Sequence, residues 1–217
     1  MKRCLNCVNP VTRPNVIFDK QHICLACKKS DTKYTVKIDW EKRKKQLDRI
    51  LAKGKFEQET PYDCIVTVSG GKDSFRQAFF ARDELKLNPL LVCVQYPPEE
   101  LHHRGAKNLE ALVNHGFETI TVSLNPITWK KLIRKSFLEN GNVFNTTEMA
   151  LYAIPIHVSI AHKIPLVFLG ENPSHTLGEK HGGTGADASQ MYKSNTLAEG
   201  RNLLKRLDIS KNDLGYY

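Results

Sequence analysis

The chain has 217 residues, with 32 lysines and arginines against 23 aspartates and glutamates, for a formal net charge of +9. Hydrophobic residues make up 41% and charged residues 25%, which excludes a disordered chain and suits one ordinary domain with a small appended module. No run of about 18 apolar residues is present for a membrane helix, and Met1-Lys2-Arg3-Cys4 leads into polar residues rather than an apolar signal segment, so a cytoplasmic protein with no membrane partner is expected.

In chain order, the first feature is a pair of tight cysteine repeats, Cys4-Leu5-Asn6-Cys7 and Cys24-Leu25-Ala26-Cys27. Each bend supplies two thiolates, and four soft ligands suit a tetrahedral Zn2+. Such a site would stabilise a segment too small for a core of its own. The stretch between the repeats, with Pro10, Pro14 and Asp19-Lys20, reads as a knuckle followed by two short strands. A redox pair fits less well, because neither repeat lies between a strand and a helix. An iron-sulfur cluster also takes four thiolates and stays open as the occupant. The metal module is placed at residues 1–35, and a basic helix and linker at 36–60, with the helix from Asp39 to Ala52 ended by Gly54. Its lysine-rich face reads as a solvated surface.

From Tyr62 the pattern alternates between strand and helix. Tyr62 to Val68 is an apolar strand, followed by a glycine turn and a helix from Asp73 to Lys86. Leu90 to Tyr96 is a second strand, and a helix opened by Pro97-Pro98-Glu99 stops at Gly116. Thr119 to Leu124 is a third strand, and Asn125-Pro126 starts a helix ending near Asn140-Gly141. Asn145-Thr146-Thr147-Glu148 reads as a capping box for a fourth helix, kinked or split at Pro155. Leu166 to Leu169 is a fourth strand. Glu179 to Ala188 reads as a glycine-rich loop and Leu197 to Leu207 as a last helix. This alternation predicts an α/β fold, a doubly wound parallel sheet over residues 61–217. Cys64 and Cys93 lie in apolar runs and read as core thiols. His157 and His162 have the wrong spacing for a zinc-protease helix.

The turn Ser69-Gly70-Gly71-Lys72-Asp73-Ser74 joins the first strand to the first helix. Two glycines let backbone N–H groups converge on an anion at the positive end of a helix. Ser69 and Ser74 offer hydroxyls, Lys72 a neutralising charge, and Asp73 a ligand for Mg2+. With Val66 and Asp73 at the diagnostic positions it is not a Walker A loop, and with no third glycine it is not a dinucleotide fingerprint. A plain serine-capped turn would give no reason for Lys-Asp-Ser at the helix start.

These six residues resemble the S-G-G-x-D-S loop of the PP-loop ATP pyrophosphatases. The resemblance implies ATP as cosubstrate, cleaved to AMP and pyrophosphate, with this loop on the pyrophosphate end and sheet order 3-2-1-4. A narrower resemblance, to the N-acetyl sugar amidotransferases, is carried by Cys4-x2-Cys7 with Asn9-Pro10, by Ile17-Phe18-Asp19 and Ile23-Cys24-x2-Cys27, by Tyr62-Asp63-Cys64-Ile65, and by Ile164 to Pro173 with its Gly170-Glu171-Asn172. That family implies surface-polysaccharide or flagellin glycan biosynthesis. ATP activates the acetamido oxygen of a nucleotide-linked sugar, and ammonia from a separate glutaminase subunit replaces it.

The implied catalytic set is Lys72, Asp73, Glu171 and Asn172. The implied nucleotide set is Ser69 to Ser74 with Gln95 and Gly170, and Cys4, Cys7, Cys24 and Cys27 hold Zn2+. His175, His181 and the glycines around Thr184 are candidates to close over the substrate. Two departures stand out: members of the family extend further at the C-terminus, and Val94-Gln95-Tyr96-Pro97-Pro98 lacks their Asp-Asn-Gly-like turn. A tRNA-modifying enzyme of the thiolation or lysidine type and a non-catalytic nucleotide-binding scaffold are the competing readings, and a homo-oligomer is left open.

Overall fold

A computed structural model describes residues 2–12, 16–35, 39–56, 60–96, 102–170, 209–210 and 214–215. Two compact units are present, one holding the N-terminal residues through Asp48 and the other running from Arg49 to Gly170.

In the first unit, the described residues between the cysteine repeats form turns rather than strands. Among the described residues two single antiparallel bridges form, Arg3 with Pro10 and Phe18 with Cys24. Asp19 organises the second of these. Its carboxylate accepts the N–H groups of Gln21 at 2.9 Å and Ile23 at 2.8 Å and pairs with Lys28 at 2.7 Å. Lys28, with the backbone bonds behind it, holds the Asp19 carboxyl below its usual range. The second repeat then runs directly into helix α1, Leu25–Thr35, so Cys27 sits in the first turn of a helix. Helix α2, Trp40–Phe56, starts on the side chain of Asp39, which accepts the Lys42 N–H at 2.9 Å. It runs past Gly54 rather than ending there. Leu51 packs against the core of the second unit, and that burial outweighs the roughly 1 kcal/mol that an internal glycine costs a helix.

The second unit is a four-stranded parallel sheet: β1 Cys64–Thr67, β2 Pro89–Gln95, β3 Thr119–Ser123 and β4 Val167–Phe168, in the order β3-β2-β1-β4. Alternate residues of the inner strands face opposite ways, as the pleat requires. Cys64, Val66, Leu91 and Cys93 join one apolar cluster, and Ile65, Leu90 and Val92 join another. The first cluster is closed by α3, Lys72–Phe79, and α4, His103–Asn114, through Ala78 and Leu112. The second is closed by α5, Pro126–Asn140, and α6, Asn145–Ala161, through Trp129, Ala150 and Ile154. The sheet is thus wound on both faces, and the direction of winding reverses between β1 and β4. Burial pushes the Cys64 thiol up to about 12, with the Asp63 charge adding to it, as befits an inert core sulfur.

Local chemistry explains the element ends. Asn125 caps α5, its side chain accepting from Ile127 and Thr128, and Gly141 ends α5 with φ +63°. The helix after the glycine turn does not stay regular to Lys86. It becomes a π-helical turn at Phe80–Glu84, where Arg82 spans from the Phe117 ring at 4.2 Å to the His115 carbonyl at 2.7 Å. The expected capping box is also absent. The residue before α6 is Phe144 with no side-chain cap, and the Thr147 hydroxyl donates back to the Phe144 carbonyl at 2.8 Å. Asn145, the expected cap, is instead the first residue of α6, and Thr146 behind it is fully buried. α6 runs unsplit through Pro155. The expected helix start at Pro97-Pro98-Glu99, the loop at 179–188 and the helix at 197–207 lie outside the described residues. No described helix is long and apolar enough to cross a membrane.

Candidate functional site

Among the described residues two groups carry chemistry, one in each unit. In the first, the sulfurs of Cys4, Cys7, Cys24 and Cys27 lie within 4.8 Å of one another, with Cys7 and Cys24 at 3.5 Å and Cys4 and Cys27 at 4.0 Å. A tetrahedron with metal–sulfur bonds of about 2.3 Å has sulfurs about 3.8 Å apart, so the four thiols fit a single ion. Cys4, Cys24 and Cys27 are buried and Cys7 is exposed. Burial alone pushes the Cys4 thiol up, yet backbone N–H groups reverse the balance and hold it at about 6. Among them are Cys24 at 3.2 Å and Asn6 at 3.4 Å. Burial and the neighbouring thiols push Cys27 up to about 12. Cys4 is therefore a readier thiolate than Cys24 and Cys27, and a cation is what would let those two follow.

In the second unit, β1 ends at Thr67 and the chain turns through Ser69, Gly70 and Gly71 into α3. Gly70 has φ +76°, and a Cβ there would lie 2.9 Å from the Asn108 Cβ of α4. Both the backbone conformation and the close approach of α4 demand glycine. Gly71 precedes α3 with no side-chain cap, which leaves the first N–H groups of the helix directed out of its end. The Gly71 N–H reaches the Ser69 hydroxyl at 3.4 Å, and the buried Ser74 hydroxyl donates to the Gly71 carbonyl at 2.9 Å. Ser74 thus braces the turn from within, while Ser69 stays on its surface. Lys72 and Asp73 pair at 2.9 Å with side chains 89% and 82% exposed, which leaves both free to exchange that weak contact for a ligand. The N–H groups, the helix end and Lys72 suit a phosphate, and Asp73 beside them suits the divalent cation that accompanies it.

β4 lies next to β1, with Ile65 opposite Val167, so Gly170 follows β4 at the same edge of the sheet. The Gln77 amide of α3 ties this end down. Its Nε2 donates to the Leu169 carbonyl at 3.5 Å, and it would touch any side chain placed at Gly170, 3.6 Å away. Thr67 adds a bond from its hydroxyl to the Phe168 carbonyl at 3.2 Å. Gln77 escaped the sequence reading. The available signal was its place four residues after Asp73, on the same helix face. Glu171 and Asn172, like His175 and His181, fall outside the described residues.

Gln95 ends β2, where its Oε1 accepts from the Ser123 hydroxyl at 3.3 Å. The next residue, Tyr96, packs on Trp129 with ring centroids 5.0 Å apart. Trp129 is 2% exposed, and its indole N–H has no partner among the described residues. A desolvated donor beside an aromatic ring, at the carboxyl end of a strand neighbouring the turn, is a second feature that the sequence reading missed. Trp129 was legible only as a core aromatic.

Gly70→Ala is expected to destabilise the second unit by about 1–3 kcal/mol, since the left-handed backbone and the Asn108 contact both resist a Cβ. Gly141→Ala, where φ is +63° but the space is open, is expected to show the smaller, purely conformational loss. Urea unfolding of the two variants measures the difference.

No family model matches the chain. Over 93 residues it is 33% identical to an uncharacterized protein of Methanocaldococcus jannaschii, in a match that covers 42% of this chain and only 32% of that protein. Among solved structures, the chain is similar to NH3-dependent NAD synthetase from Campylobacter jejuni, with 19% identity, 82% of this chain and 77% of that one covered, and a TM-score of 0.47. It is also similar to NMN synthetase from Francisella tularensis, with 19% identity, 82% and 75% covered, and a TM-score of 0.45. A weaker likeness, with a TM-score of 0.32, 19% identity and 81% and 56% covered, is to the U34-tRNA thiolase NcsA from Methanococcus maripaludis with its [4Fe-4S] cluster. The chemistry assigned to the site rests on the turn, the strand order and the cysteine geometry, not on these likenesses.

Proposed function

We propose that the chain is a PP-loop ATP pyrophosphatase-type enzyme that activates the acetamido group of a nucleotide-linked sugar for amidination in the cytoplasm, within surface-polysaccharide biosynthesis. One observation carries the ATP reading: the Ser69–Ser74 turn, with Gly70 forced to positive φ, opens at the β1–β4 reversal of a 3-2-1-4 sheet, where such folds bind ligands. In this reading the backbone N–H groups at the start of α3 and Lys72 hold the pyrophosphate end of ATP, and Asp73 holds Mg2+. The base lies toward Gln95, Tyr96 and Trp129, where the indole N–H would meet a ring nitrogen.

The acetamido oxygen attacks the α-phosphorus and pyrophosphate leaves. Ammonia from a glutaminase subunit adds to the activated carbon, and AMP departs with the former amide oxygen. Glu171 and Asn172, next in sequence to Gly170, are proposed to orient ammonia and the substrate amide. The four cysteines are proposed to hold structural Zn2+, because a four-iron cluster bonds each thiolate to a different iron and spaces them more widely than this set.

The test is incubation of the purified protein with ATP, ammonium and UDP- or CMP-linked acetamido sugars, with AMP and the sugar mass as readouts. The expected result is AMP together with a sugar lighter by about one mass unit, oxygen having been replaced by NH. AMP that forms only when tRNA is added would overturn the sugar assignment, and no AMP under any condition would leave a non-catalytic scaffold. A tRNA nucleobase as the acceptor is the second reading, favoured by the exposed basic start of α2.

A further inference from the structure

We infer that the start of α2, from Trp40 to Lys45, docks the phosphate backbone of an unpaired stretch of RNA, an inference that deepens the second reading of function. α2 carries seven lysines and arginines against two carboxylates. Every residue from Asp39 to Gln46 is exposed, so this part of the helix buries no face. Lys42, Arg43, Lys44 and Lys45 follow one another at steps of about 100° and therefore ring the helix. Arg43 bonds the Gln46 side chain at 3.2 Å, and among the described residues Lys42, Lys44 and Lys45 form no ion pair.

Cations in the first turns of a helix work against its dipole. The helix is held instead by the Asp39 cap and by Leu51 in the core, so its stability does not depend on Lys42, Lys44 and Lys45. Exposed lysines without a carboxylate partner among the described residues suit an external polyanion. Trp40, 71% exposed at the head of this run, offers a face on which an unpaired base can stack.

Other anionic partners fit less well. Insertion into an anionic membrane needs a continuous apolar face, but the nearest apolar residues, Leu47, Ile50 and Leu51, are half-buried in the fold. Protein interfaces are depleted in lysine at their centres, and three of the six residues from Trp40 to Lys45 are lysine.

The test is titration of the full chain, without ATP, against a labelled unstructured RNA oligonucleotide at several salt concentrations. Binding is expected to weaken linearly on a log–log plot. The triple variant Lys42→Gln, Lys44→Gln, Lys45→Gln is expected to flatten that slope by about 2, at roughly 0.7 per cation for a single strand. Trp40→Ala is expected to bind about fivefold more weakly or worse. The chain has two tryptophans and Trp129 is buried, so fluorescence quenching on RNA addition reports Trp40. Equal slopes for the wild type and the triple variant would overturn the proposal, as would sedimentation with phosphatidylserine vesicles but no RNA binding. The readout needs no turnover, so its failure counts against this docking surface alone, and failure of AMP release counts against the reading of the Ser69–Ser74 turn alone.

Discussion

Lys72→Ala is expected to lower AMP release by about 100-fold or more while leaving the unfolding midpoint within about 0.5 kcal/mol of the wild type. The separation of the two effects follows from geometry. The Lys72 side chain is 89% exposed, and among the described residues its one ion pair is with its exposed neighbour Asp73, so its loss strands no buried partner there. Its position at the first residue of α3 puts the ammonium beside the backbone N–H groups that would meet a polyphosphate. Charge that grows on a departing pyrophosphate would then lose its nearest cation. Lys72→Arg keeps the charge but not the compact ammonium, and partial activity is expected. Single-turnover AMP formation together with urea unfolding checks the claim. Equal AMP release from the wild type and Lys72→Ala would remove the turn from the chemistry.

Cys24→Ser is expected to do the reverse, collapsing the first unit while the unit from Arg49 to Gly170 keeps its own unfolding transition. Cys24 is fully buried. Its N–H supports the Cys4 sulfur, its own sulfur meets Cys7, and its backbone bridges Phe18. The apolar residues around the cluster are few and partly buried: Val16, Phe18, Ile23 and Ala26. Metal binding in such small modules supplies an apparent stabilisation on the order of 10 kcal/mol, more than these side chains provide. Elemental analysis is expected to find one zinc per chain in the wild type and much less in the variant. Limited proteolysis is expected to cut the variant first within its N-terminal residues. A wild-type protein with iron and sulfide, or an N-terminal unit that stays protease-resistant after metal is stripped, would contradict the assignment.

The parts of this structure legible in the sequence are those fixed by local chemistry. Asn125-Pro126 and Gly141 bracket α5 because a side-chain cap, a proline and a left-handed glycine each act within a few residues. The glycine turn and the cysteine spacing were readable for the same reason. What failed depended on distant partners. Gly54 lies inside a helix because Leu51 finds a core elsewhere in the chain. Asn145 opens α6 instead of capping it, with Thr146 behind it fully buried, and the π-helical turn sits where Arg82 reaches the Phe117 ring. In the site, Gln77 and Trp129 look like ordinary helix residues until the sheet order sets one against Gly170 and the other against Tyr96.

The pairing of β1 with β4 has a consequence for the order in which the molecule is made. Ile65 and Val167 are about a hundred residues apart, and the other two described strands are synthesised between them. Contacts so distant along the chain close late and slowly. A growing polypeptide that has passed Ser74 already carries the residues of the glycine turn, but the strand beside β1 arrives only once Val167 and Phe168 have been translated and have docked. A nascent chain halted before Leu166 is therefore expected to keep much of its sheet and yet, on the proposed reading of the turn, to retain no nucleotide, so that ligand capture would wait for β4.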